Sequence, residues 1–536
     1  MLKKVVVFLY IGLVLTMGLA TLLEYGLGSS FVYKYIYHST AFCLGWGVLV
    51  ILTIALCVRL KMWKRSFLFL MHMSFAMILL GAFLTFMTGK KGFMHLRTGT
   101  STFQYIEKDT RLVKDLPFIL HLDTFEIKYD PETRNILDYI SKIRCIAEDD
   151  RAERCAEISM NHIFKYKGYR FYQSSYDEDK NGAWITVNYD PIGTSFTYVG
   201  YWLWGLSMLG VFFTRRVKSR SLLHGLLSKR SFLLLFMVGT SLAIQTLYDS
   251  LFVSGCDADV YADSFWKAKV ELLYHSIPFS KIVFAVNIIL GLLSLVWTFY
   301  ASRSHFTCVI RKITELGLFF SFFLHSFGYV LRWFLSGRIP LGNGYETLLF
   351  MAFFIMLLAV VLRKKFSFAV SCGLLLSGIV LGVSLIGSMN SQIAPLPPIL
   401  ISSWLSIHVS CIMAAYTFFA FIGLNSFIGL CFPQKSCELM QISKLMLYPG
   451  VFLLGVGIFI GAVWANVSWG RYWAWDPKEV WALITFMVYG VPFHVESLPW
   501  LNTPKSFHLY LFLAFVTVII TFGGVNYILG GIHSYA

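Results

Sequence analysis

Long uncharged apolar runs alternate with short polar connections along most of this chain. A run of about 18 or more apolar residues is the length that crosses a bilayer as a helix. Thirteen such spans can be placed, near 5–23, 38–58, 67–88, 196–214, 231–248, 280–301, 313–334, 346–362, 366–387, 405–431, 447–465, 478–494 and 508–530. The pattern predicts a polytopic α-helical integral membrane protein of about 13 transmembrane helices. Between the third and fourth spans the period changes from helical to alternating. Phe118–Leu122 and Phe125–Tyr129 carry strand-forming residues, and Tyr169–Gln173 and Trp184–Tyr189 alternate with strand period. A β-rich domain is therefore expected there.

The resulting organisation is N-terminal helices over 1–88, a β-rich domain over 89–195, middle helices over 196–301 with a loop at 249–279, and a last helical domain over 302–536 that contains an aromatic stretch at 464–481. The first run, behind Lys3 and Lys4, has no small-residue cleavage site before Glu24 and reads as a retained helix.

Composition agrees: 57% of the 536 residues are hydrophobic, 17% aromatic and only 14% charged. A net charge of +16 would suggest a nucleic-acid partner in a soluble protein. Here the cations cluster in alternate loops: Arg59, Lys61, Lys64 and Arg65; Arg215, Arg216, Lys218, Arg220, Lys229 and Arg230; Arg303, Arg311 and Lys312; Arg363, Lys364 and Lys365; Lys435 and Lys444. That is a membrane-orientation pattern, and no nucleic acid is expected. The positive-inside rule puts the N-terminus in the cytoplasm and the β-rich domain, the aromatic stretch and the C-terminus outside. The ten cysteines include no CxxC pair. Cys145 and Cys155 share the outer domain, and the sequence leaves a disulfide between them open.

Candidate chemistry concentrates in Trp469-Gly470-Arg471-Tyr472-Trp473-Ala474-Trp475-Asp476-Pro477-Lys478-Glu479. Asp476 suits an N-cap, Pro477 the first helical position, and Glu479 the reciprocal place of a capping box. The rings before that cap either belong to an interfacial belt or form a shelf for a flat ligand. Four of the thirteen histidines bear on the choice. His408, at the head of the tenth span, and His533, after the last, fall on the same outer face as the tryptophans. His72 lies about six residues inside the third span and His494 closes the twelfth, both toward the cytoplasm, where an ionisable group is costly and suggests function. Imidazoles from different helices beside an aromatic shelf suit the axial positions of a haem, or another metal with nitrogen preference.

The aromatic stretch resembles the WGxxWxWDxKE motif of the haem-handling WWD membrane proteins. Gly524–Ala536 and Gly344-Tyr345-Glu346-Thr347 resemble the CcsA (ResC) branch. Three helices with a histidine in the third, Ile158-Ser159-Met160-Asn161, Lys167–Tyr176 and a returning helix resemble its companion CcsB (ResB). Together they resemble a fused CcsB–CcsA System II cytochrome c synthase. The resemblance implies a bacterial inner-membrane enzyme that exports haem b and joins it by thioether bonds to the CxxCH cysteines of apocytochrome c, with thiol-reducing partner proteins. It implies iron ligation by His408 and His533 outside and by His72 and His494 within the membrane. Trp469, Gly470, Arg471, Tyr472, Trp473, Trp475 and Asp476 would grip the porphyrin. Two other readings share these residues: a WWD exporter that hands haem to a separate ligase, and a b-type electron-transfer subunit with two bis-histidine haems.

Overall fold

The computed structural model describes residues 2–108, 110–129, 135–147, 153–214, 260–300, 305–364, 366, 368–386 and 391–530. The expected span at 231–248, the basic cluster from Arg215 to Arg230, Arg303, Cys256 and His533 lie outside the described residues. Eleven helices among those described are long and apolar enough to cross a membrane, so the chain is a multi-pass helical membrane protein. The chain divides into two compact units. One consists of Met1–Arg215, Pro395–Leu405 and Phe459–Trp475, the other of Arg216–Ala394, Ser406–Ile458 and Asp476–Ala536.

The first unit begins with α1 (Leu2–Leu27), α2 (Thr40–Arg59) and α3 (Ser66–Thr88). Ser39 caps α2, its hydroxyl accepting from Phe42 N at 3.2 Å. Eight antiparallel strands follow: β1 (Lys90–Arg97), β2 (Ser101–Glu107), β3 (Val113–Tyr129), β4 (Ile136–Ile146), β5 (Glu153–Ile158), β6 (Phe164–Tyr166), β7 (Tyr169–Tyr176) and β8 (Gly182–Tyr189). They form one sheet in the order β5-β4-β3-β2-β1-β8-β7-β6. Strand alternation sorts the faces: Met94 and Leu96 of β1 and Ala183, Ile185 and Val187 of β8 are buried, while His95, Arg97 and Trp184 are exposed. The sheet curls over this apolar face, because β4 and β7, far apart in strand order, meet through a Ser141 Oγ–Gln173 Oε1 bond of 2.7 Å. The Tyr139 and Tyr176 rings stack beside it at 5.2 Å. The β-rich domain expected between the third and fourth spans is this sheet.

Strand period also bears on the disulfide that the sequence leaves open. Cys145 is paired with Arg154 and Cys155 with Arg144, one register step apart. Successive side chains point to opposite faces, so Cys145 enters the core while Cys155 is exposed, and both are free thiols.

The chain returns through α4 (Pro191–Thr214), which starts five residues before the expected fourth span and is not among the eleven apolar helices. α3 and α4 run backbone to backbone, since a Cβ at Gly81 would sit 2.6 Å from Thr197 N.

The second unit contains α5 (Val260–Ser276), α6 (Phe279–Tyr300), α7 (His305–Ser336), α8 (Gly344–Leu362), α9 (Phe368–Ile386), α10 (Ser403–Cys431), most of α11 (Ser436–Trp469), α12 (Pro477–Gly490) and α13 (Pro504–Ile519). The expected loop at 249–279 thus holds a helix, α5. Helices α8 and α9 are mostly buried, and α9 is tied to α6 by polar side chains. Asn287 of α6 donates to Ser377 Oγ at 2.9 Å. Ser294 and Ser371 bond at 2.6 Å.

One charged cluster stands out. Glu346 Oε1 accepts from Arg332 Nε and Nη2 at 3.1 and 2.9 Å. Its Oε2 accepts from Arg338 Nη1 at 2.9 Å and Gly342 N at 2.7 Å. The Arg332 and Glu346 side chains are wholly buried. Arg332 also donates to Tyr274 Oη at 3.1 Å and to the carbonyls of Ser391 and Gln392 at 2.8 and 3.3 Å.

Candidate haem-handling site

Helix α11 runs unbroken to Trp469, well past the expected end of that span. Gly470 then adopts φ 73°, the left-handed turn that ends a helix and that glycine takes without strain. A side chain here would also collide with the Tyr172 ring, whose edge would lie 2.9 Å from a Cβ. Asp476 caps α12 as expected: its carboxylate accepts from Lys478 N at 3.1 Å, with Pro477 at the first helical position. The aromatic stretch is therefore a short loop, Gly470–Trp475, strung between two helix ends.

In the first unit this loop is tied down by residues far away in sequence. Asn188, buried at the end of β8, donates to Gly470 O. The Tyr472 hydroxyl donates to Thr85 Oγ1 at 2.7 Å, and Thr85 donates in turn to Asp190 Oδ2 at 2.7 Å. Asp190 is 2% exposed and also accepts from Thr194 Oγ1 at 2.9 Å and Gly193 N at 3.0 Å, so it caps α4 while anchoring the loop. Burial raises the Tyr472 phenol, which stays a neutral donor, and pushes Tyr172 up to about 12. Nearer α11, Asn466 donates to Tyr198 Oη at 2.6 Å. Asn161 accepts from Ser468 Oγ at 3.2 Å and donates to the carbonyls of Pro398 and Ile401 at 3.1 and 3.0 Å.

The rings are fixed as well. Trp475 has φ 59°, uncommon for a residue with a Cβ. Tyr37 stacks on it at 4.6 Å with an interplanar angle of 13°, and Phe42 meets it edge-on at 5.3 Å. Trp473 stands at 88° to it, 5.9 Å away. Trp464 and Trp469 lie 5.8 Å apart, packed with Leu400 and Ala465. Arg471 is half-buried and has no ion-pair partner among the described residues.

Three of the four expected ligand histidines are described. His72 lies half-buried on α3, thirteen residues before Thr85, which is about 20 Å along a helix axis. Its Nδ1 donates to Leu68 O at 2.8 Å. His408, in the second turn of α10, donates from Nδ1 to Gly457 O at 2.7 Å. His494 lies beyond α12, exposed on the tight segment Val491–Ser497, with Nδ1 3.3 Å from Gly490 O. A carbonyl only accepts, so each ring carries its proton on Nδ1 and, when neutral, its lone pair on Nε2. Two fully enclosed histidines do the reverse: His325 donates from Nε2 to Leu349 O at 2.9 Å, and His508 from Nε2 to Ser436 O at 2.9 Å. The loop residues Trp469–Trp475 and His72 belong to the first unit, and His408, Asp476 and His494 to the second.

Sequence reasoning did not single out Tyr37, Thr85, Asn188 or Asp190. Asp190-Pro191 carries the same Asp-Pro capping signal as Asp476-Pro477, so that one residue was open to notice. Thr85 and Asn188 have no local signal, because their partners are hundreds of residues away.

Residues 341–533 match the Cytochrome C assembly protein family, and residues 61–217 match the ResB-like family. Protein NrfI of Wolinella succinogenes is 34% identical over 288 residues, which cover 50% of this chain and 31% of that protein. Cytochrome c biogenesis protein CcsA of Guillardia theta is 32% identical over 239 residues, 38% of this chain and 79% of the relative. CcsA of Mesostigma viride is 29% identical over 294 residues, 47% of this chain and 96% of the relative. The chain thus spans about a third of NrfI but most of each CcsA. A cytochrome c assembly region that contains the tryptophan loop, preceded in the same polypeptide by a ResB-like region that anchors that loop, makes this chain a member of the CcsA cytochrome c biogenesis family, of the fused CcsB–CcsA System II type.

Proposed function

We propose that this protein carries haem b across the bacterial inner membrane and attaches it to the CxxCH cysteines of apocytochrome c on the outer face. The observation that carries the reading is the histidine chemistry. His72, His408 and His494 each donate Nδ1–H to a carbonyl, which orients the ring and leaves Nε2 as the basic nitrogen. Iron-ligating histidines are held in this way. His325 and His508 use Nε2 for a structural bond and are unsuited to that role.

In this reading the N-terminus is cytoplasmic, and the sheet and the tryptophan loop face outward, as the basic loops predict. Haem enters against His72 and His494 and leaves against His408 and His533. Trp475, held by Tyr37 and Phe42, and Trp473 set edge-on to it supply a fixed wall for the porphyrin face. Arg471 binds a propionate through charge-assisted hydrogen bonds. The apoprotein supplies both thiols, kept reduced by thiol-reducing partner proteins. The contribution of this chain is to hold vinyl carbon against sulfur in a productive orientation. The thioether bond forms by addition of S–H across the vinyl double bond and needs no leaving group.

The test is expression in a bacterial host deleted for its own cytochrome c maturation genes, with one CxxCH reporter. The purified wild-type protein should show a Soret band, and the reporter should acquire covalent haem. His408→Ala or His533→Ala should abolish the reporter signal at normal protein level. A Soret band without reporter haem would favour an exporter that serves a separate ligase. Normal reporter haem in either variant would overturn the assignment.

A further inference from the structure

The end of the sheet next to the membrane carries a surface with its own chemistry. α3 ends at Thr88 and β1 begins at Lys90, while β8 ends at Tyr189, opposite Lys90, just before α4 begins at Pro191. This edge is where the chain leaves the bilayer. β2 returns antiparallel to β1, with Glu107 opposite Gly92, and β3 starts with Val113 opposite Ile106. The β2–β3 turn therefore points back at the bilayer. It is closed tightly: Lys108 N donates to Lys91 O at 2.8 Å, Glu107 N to Leu112 O at 2.9 Å, and Arg111 takes φ 59°.

The side chains at this turn are unusual for a surface in water. Ile106, Leu112 and Val113 are 44%, 58% and 58% exposed. Phe86 and Met87, on the last turn of α3, are also exposed. Lys90, Lys108, Arg111 and Lys114 surround them, all exposed. Of the acidic residues in this hairpin, Glu107 accepts from Thr110 Oγ1 at 2.6 Å and Asp115 from Gln104 Nε2 at 3.1 Å, and Asp109 lies outside the described residues. At the opposite end of the same two strands the β1–β2 turn is Thr98-Gly99-Thr100, exposed and polar. An apolar tip ringed by cations at one end only is the composition of an interfacial anchor.

We propose that the β2–β3 hairpin, Ile106–Lys114, is a foot that rests the sheet on the bilayer crossed by α3. Leu112 and Val113 enter the boundary between headgroups and acyl chains, and Lys108, Arg111 and Lys114 bind the phosphates of anionic lipid. The foot sets the tilt of the sheet whose other membrane-side residues, Asn188 and Asp190, hold the tryptophan loop.

The test places p-acetylphenylalanine at position 112 or at position 100 of the full chain and couples it to a nitroxide, leaving the ten native cysteines unlabelled. Power saturation is then measured in nanodiscs of mixed neutral and anionic phospholipid, with oxygen as the lipid-soluble relaxant and a nickel chelate as the aqueous one. At 112 the oxygen accessibility should exceed that of the chelate several-fold, and at 100 the order should reverse. Wholly neutral discs, or the combined Lys108→Gln, Arg111→Gln and Lys114→Gln substitutions, should shift the label at 112 toward the chelate. Greater chelate accessibility at 112 in anionic discs would overturn the proposal. So would low accessibility to both relaxants, which would mean that protein covers the tip.

Discussion

Two corners of this protein are fixed by opposite means. The corner between α7 and α8 is closed by charge: one buried glutamate, two arginines and a set of backbone carbonyls satisfy one another completely. The tryptophan loop is closed by neutral hydrogen bonds and ring stacking, with Arg471 left without a counter-charge among the described residues. A closed ionic cluster has no valence left for a ligand and acts as a rivet. A loop held by hydrogen bonds from its neighbours keeps the Arg471 charge without an ion-pair partner among the described residues. The difference separates structure from site more clearly than residue type does, since each corner is rich in aromatic and basic residues.

Substitutions should expose that contrast. Glu346→Ala leaves the wholly buried Arg332 without its carboxylate and should cost about 3–5 kcal/mol. The detergent-solubilised protein should melt far lower or fail to accumulate, and unchanged melting would show that the cluster is no rivet. Thr85→Val interrupts the chain from Tyr472 to Asp190 and leaves buried polar groups short of partners, at about 1–3 kcal/mol. Its effect should fall on the loop: a shifted Soret band or haem midpoint potential, reversed in Thr85→Ser, with near-normal protein level. Loss of protein as severe as in Glu346→Ala would mean that the loop too is chiefly structural.

Asp476→Ala removes only a helix cap, worth about 1 kcal/mol, and should lower reporter haem less than Thr85→Val does. The smallest effect concerns the sheet. Cys155 is exposed, whereas burial pushes the Cys145 thiol up to about 11. At pH 8 a maleimide should label Cys155 and spare Cys145 until the protein is denatured. Resistance of both after denaturation without reductant would reveal a disulfide.

The sequence legibly determined what depends on near neighbours. Apolar runs located the helices, strand alternation located the sheet, and Asp476-Pro477 announced the start of α12, because hydrophobic period and capping act within a few residues. The same locality explains a difference: the loop expected at 249–279 holds α5, whose low hydropathy gives no span signal. The opposed faces of Cys145 and Cys155 depended on strand register. Only the tertiary structure decided what holds the tryptophan loop. Tyr472 reaches Thr85 across 387 residues and Gly470 meets Asn188 across 282. No local pattern encodes such pairs: a buried hydroxyl or amide needs a partner, and which partner it finds is set by how the ResB-like helices and sheet pack around the loop. The aromatic composition marked the site, and the fold supplied its rigidity.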